Sequence, residues 1–95
     1  MVFVLGIKMG SLKRLYFTNV VGTEHKQIPF ETPGEIIFHE LVVEIAKKFG
    51  IATEQIAISS EMGETLTATD FNSTVDEVIN QYGTAFQVIN RGVVG

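Results

Sequence analysis

The sequence predicts an α+β fold, one mixed β-sheet of four to five strands packed on a single long helix. Three observations predict it. The N-terminal stretch alternates apolar residues at period two, and an aromatic and β-branched stretch follows it. A mid-chain stripe at helical spacing, Phe38, Leu41, Val42, Ile45 and Phe49, marks one amphipathic helix. Strand-like segments return beyond it, at Gln55–Ser60 and Thr84–Ile89. At 95 residues the chain has room for one domain with one modest core.

The elements follow in order. Phe3, Leu5, Ile7 and Met9 occupy one face of a first strand, and Gly10-Ser11 opens a turn into a second strand, Leu15–Val21. Phe17 competes with Tyr16 and Val20 for its buried face. Gly22–Gln27 is polar and reads as a loop before Ile28 and Phe30 return to the core. Thr32-Pro33-Gly34-Glu35 reads as a helix start: a threonine cap, proline at the first helical position and a glutamate three residues on. Lys47 and Lys48 complement the negative end of the helix dipole, and Gly50 is the expected left-handed residue that ends it. Ile56 and Ile58 alternate with Ala57 and Ser59 in a third strand. Met62-Gly63 turns, and Thr65-Leu66-Thr67 is a candidate short fourth strand. Ser73 or Thr74 starts a short helix with Val75, Val78, Ile79 and Tyr82 inward, closed by Gly83. Thr84–Ile89 is the last strand, with Phe86 and Val88 or their alternates inward. A hairpin, a helix across its face and further strands from the other side match the β-grasp, or ubiquitin-like, arrangement.

Composition excludes several functions. Hydrophobic residues are 45% and charged residues 19%, which argues against disorder. The absence of cysteine excludes disulfides, a thiolate zinc site and a cysteine nucleophile. A net charge of −4 argues against nucleic-acid binding, and no apolar run approaches a membrane span. Met1–Leu5 lacks the flanks of a signal peptide, so the expected location is cytoplasmic.

Little in the chain is patterned for catalysis. His25 and His39 lack the HxxxH or HxH spacing of a metal site, and no metal or other cofactor is expected. Glu35, Glu40 and Glu44 most simply form a solvated helix face. Residues 51–90 contain no Lys or Arg but hold Glu54, Glu61, Glu64, Asp70, Asp76 and Glu77. That acidic span is either a solvated face or a docking surface for a basic partner.

What remains is the C-terminus. A last strand runs directly into Arg91-Gly92-Val93-Val94-Gly95, a short tail expected to be flexible, with a glycine carboxylate at its end. Without a Cβ, that carboxylate can enter a narrow channel and meet the α-phosphate of ATP. The segment Thr84–Gly95 resembles the end of the ubiquitin-fold modifier family, the small proteins conjugated in ufmylation, through Ile89-Asn90-Arg91 and Val94-Gly95. The resemblance extends back through Tyr82-Gly83, Ala57-Ile58 and Lys48-Phe49-Gly50-Ile51-Ala52-Thr53 to Glu31-Thr32-Pro33, covering residues 28–95 and more loosely the hairpin. Three departures stand out. Gly22–Gln27 looks longer than in typical members, and Gln81 stands where the family carries a lysine used to build chains. Typical precursors also extend past Val-Gly, whereas this sequence stops at Gly95 and reads as a mature form.

The resemblance implies a non-enzymatic modifier with a β-grasp domain over 1–90 and a conjugation tail over 91–95. Gly95 would be the conjugated residue, recognised through Arg91, Gly92, Val93 and Val94. An activating enzyme using ATP, a conjugating enzyme, a ligase and target lysines would be its partners, and the modifier itself a monomer. The activating enzyme would dock at Tyr16, Phe17, Thr18, Asn19, Val20 and Val21, read as an edge strand open to β-augmentation. Two other functions compete: a sulfur carrier of the same fold, whose relatives typically end in Gly-Gly, and a non-covalent β-grasp interaction module.

Overall fold

A computed structural model describes residues 12–21 and 24–92. Strands β1 (Leu12–Val21) and β2 (Glu24–Pro33) form an antiparallel hairpin. Helix α1 (Phe38–Phe49) follows, then a 3₁₀ turn (Thr53–Gln55) and β3 (Ile56–Ser60). Two short helices, α2 (Ala68–Phe71) and α3 (Val75–Tyr82), lead into β4 (Ala85–Asn90). The four strands make one sheet in the order β2-β1-β4-β3, with β1 and β4 parallel and the other pairs antiparallel.

The core lies between the sheet and α1. Leu15, Phe17, Phe38, Val42, Ile45 and Ile58 are completely buried. The Phe17 ring stacks on Phe86 at 5.4 Å and meets Phe30 edge-on at 5.6 Å, while Phe38 lies 5.9 Å from Phe86. The predicted α1 stripe is buried, with Phe49 partly so. Gly50 takes φ 70° and ends the helix. Val75 and Val78 are buried and Ile79 and Tyr82 partly so, as their spacing predicts. Phe17, together with Leu15, takes the inner face of β1, which leaves Tyr16 on the outer one. Thr65 makes a single bridge to Ser59 rather than a strand.

Four expectations are corrected. The first strand through Phe3–Met9 lies outside the described residues, and the hairpin seen pairs Leu15–Val21 with the segment after it. Most of the expected loop Gly22–Gln27 is therefore strand: Val21 pairs with Glu24, Val20 with His25 and Thr18 with Gln27. Glu24–Gln27 are all exposed, so this half of β2 carries polar residues on both faces and has no alternation to betray it. Pro33 is the last residue of β2, not the first of the helix; α1 starts at Phe38 with no side-chain cap. Finally, β1 pairs on both sides, so Tyr16–Val21 is not an edge. The residues 68–71 that make α2 carried no strong sequence signal beyond Thr67 and Asp70, which form its capping box. Among the described residues, no helix is long and apolar enough to cross a membrane.

Candidate functional site

Strand β4 carries the chain toward its C-terminus from an inner position, held by β1 on one side and β3 on the other. Phe86 and Val88 anchor it in the core, while Gln87 and Ile89 are exposed on the outer face. The β3–β4 ladder ends at the pair Ile56–Asn90, and one further bond continues its register: the Arg91 N–H donates to the Gln55 carbonyl at 2.7 Å. The Gly92 N–H then donates to Asn90 Oδ1 at 2.9 Å, an Asx-turn. The Gln55 side chain lies against Gly92, so close that a Cβ there would fall 2.2 Å from Gln55 Oε1. Arg91 and Gly92 are both exposed. Val93, Val94 and Gly95 lie outside the described residues.

The sheet edge is β2. Tyr16 donates its N–H to the Thr84 carbonyl at 2.8 Å, away from β2, so Tyr16 and Pro29 form a non-hydrogen-bonded pair. The backbone of Pro29 therefore faces outward, and with it, at period two, those of His25, Gln27, Glu31 and Pro33. Pro29 and Pro33 bring no N–H to that row, which leaves His25, Gln27 and Glu31 as the outward donors. On the outer face, Arg14 forms an ion pair with Glu31 beside this edge, and the bond raises the guanidinium above its ordinary value. Thr18, Gln27, Glu61, Ala85, Phe86 and Gln87 line an open depression of about 200 Å³.

Of the docking residues read from the sequence, Phe17 is wholly buried, and Tyr16, Thr18 and Asn19 are partly exposed within an inner strand. None offers an unpaired strand backbone, because β2 and β4 take both sides of β1. Sequence reasoning missed Asn90 and Gln55. Asn-x-Gly is a recognisable turn signal for the first; nothing local marks the second, whose role is set by strand pairing. Among the described residues, no group of three or more His, Asp and Glu side chains is placed to hold a metal ion.

No family profile and no curated protein sequence matches the chain. Solved structures do. The ubiquitin of Caldiarchaeum subterraneum superposes with a TM-score of 0.67 at 15% identity, over 90% of this chain and 100% of that one. The fold is the ubiquitin-like β-grasp. A chain of the pParkin–pUb–UbcH7 complex gives a TM-score of 0.67 at 15% identity, covering 87% of this chain and 24% of that one. A de novo designed protein based on ubiquitin gives 0.57, also at 15%, over 85% and 93% of the two chains. At this identity the likeness is one of fold.

Proposed function

We propose that this ubiquitin-like protein is a modifier, activated at the carboxylate of Gly95 and conjugated to lysines of target proteins, in the manner of ufmylation. The observation that carries the reading is the end of β4. A strand locked into the middle of a ubiquitin-like sheet delivers its chain to the exposed pair Arg91-Gly92, three residues before that carboxylate. The fold is then a handle for enzymes rather than an enzyme.

The chemistry needs no side chain of this protein. A carboxylate oxygen of Gly95 attacks the α-phosphorus of ATP bound in an activating enzyme, forming an acyl-adenylate as pyrophosphate leaves. An enzyme thiol, losing its proton to a base, attacks the acyl carbon and displaces AMP, giving a thioester. After transfer to a conjugating enzyme, a target lysine amine displaces the thiol and forms the isopeptide bond. A Cβ at position 95 crowds this path, and Val94 gives the tail a bulk that Gly-Gly modifiers lack, a basis for discrimination by shape.

Docking of the activating enzyme belongs on β2. Its outward row, His25 to Glu31, is the unpaired strand backbone that an extended peptide can extend, and Pro29 and Pro33 confine pairing to the half nearer the hairpin turn.

The test is incubation of the full chain with the activating enzyme of its host and ATP. Wild type is expected to form a thioester and Gly95→Ala a much slower one at unchanged unfolding temperature. Deletion of Val94-Gly95 should form none. An equal yield from the deletion, or none from intact protein, overturns the reading. Intact mass of the host's own protein separates it from a sulfur carrier: isopeptide adducts are expected, and a single oxygen-to-sulfur exchange in their place favours the carrier.

A further inference from the structure

We propose that Gln55 and Asn90 form a releasable clasp on the base of the tail, closed in the free protein and opened when the activating enzyme draws the carboxylate in. The inference rests on the modifier reading above and deepens it by assigning positioning residues to that same site.

Three contacts make the clasp, and all act on Arg91-Gly92. The Gln55 carbonyl accepts from the Arg91 N–H, Asn90 Oδ1 accepts from the Gly92 N–H, and the Gln55 side chain lies against the Gly92 backbone. They bind the first two residues of the exposed tail to the start of β3. Only Val93, Val94 and Gly95 lie beyond, and three extended residues span at most about 10 Å. That is about the diameter of one helix with its side chains, so such a reach crosses no more than a single layer of a partner. Freeing Arg91 and Gly92 lengthens it to five residues and about 17 Å, enough to pass one layer and meet a nucleotide behind it. The clasp is built to open. Gln55, Arg91 and Gly92 are exposed, so water replaces each broken bond, and β4 itself stays anchored through Phe86 and Val88.

The absence of native cysteine makes a lock feasible. The Gln55 side chain runs beside the place of a Cβ at 92, so the pair Gln55→Cys and Gly92→Cys brings two thiols within bridging range. With activating enzyme, ATP and labelled pyrophosphate, the reduced double variant should support ATP–pyrophosphate exchange. Oxidation to the disulfide should abolish it, and reductant should restore it. Equal exchange in both redox states overturns the clasp and leaves the modifier reading standing; no exchange with wild type overturns that reading and the release step with it.

A second variant needs no cross-link. In wild type, amide hydrogen exchange at Arg91 and Gly92 should be slower than in an unstructured peptide. Asn90→Ala should lose the protection of Gly92 and lower KM for the chain about threefold at unchanged kcat, because the cost of opening is removed. Unprotected amides in wild type, or an unchanged KM in Asn90→Ala, overturn the clasp.

Discussion

Two helix entries in this protein carry the same local pattern and use it differently. Thr74-Val75-Asp76-Glu77 and Thr32-Pro33-Gly34-Glu35 both read Thr-x-x-Glu. At the first, the motif does what it predicts. The Glu77 N–H donates to Thr74 Oγ1 at 3.2 Å, and Glu77 Oε1 accepts from the Thr74 N–H at 2.9 Å. At the second, Thr32 is a buried residue of β2, paired with Lys13, and its hydroxyl reaches only the Pro33 carbonyl at 3.4 Å. The first turn of α1 draws instead on the other entry: the Phe38 N–H donates to the Ser73 carbonyl, and the Val75 N–H to the Ile36 carbonyl. One helix is capped by its own side chain and the other by its neighbour's backbone. A capping motif is thus decisive only where strand pairing does not claim the same residues.

The comparison can be broken by substitution. Phe38 holds α1 in place by burial, so Phe38→Ala should cost the most, about 3–5 kcal/mol in denaturant unfolding. A loss under about 1 kcal/mol would mean that the helix start is held locally after all. Thr74→Ala removes a working cap and should cost about 1 kcal/mol, read as a fall of several degrees in unfolding temperature.

A third box of the same kind adds a pH handle. Burial pushes the Asp70 carboxyl up, but donation from the Thr67 N–H and from the Tyr82 and Thr67 hydroxyls outweighs it and leaves the group below its ordinary value. A depressed carboxyl contributes stability that is fully present above about pH 4 and is lost as pH falls through the lower folded value. Unfolding temperature should therefore drop across that acid window more steeply in wild type than in Asp70→Asn. Parallel profiles would show that the Thr67–Asp70 box does not couple to folding. The smallest effect belongs to Thr32→Val, which keeps the shape of a buried strand residue and discards a hydroxyl that caps nothing. It should change stability by less than about 0.5 kcal/mol, and a cost near that of Thr74→Ala would restore Thr32 as a cap.

The sequence by itself determined the elements whose signals are local. The α1 stripe, the left-handed stop at Gly50, the Thr74 cap and the inward Phe86 and Val88 each follow from spacing or from one residue's conformational preference. It also marked Ile89-Asn90-Arg91 and the terminal glycine as the chemically distinctive end. What only the tertiary structure decided is every feature that depends on which strand lies beside which. Strand order made β1 an inner strand and β2 the edge, turned polar Glu24–Gln27 into strand and withdrew Thr32-Pro33 from the helix. It also set Gln55 against Gly92. Backbone pairing is indifferent to side-chain type: any residue but proline brings the same N–H and C=O to a ladder, so composition leaves the partner of a strand unwritten.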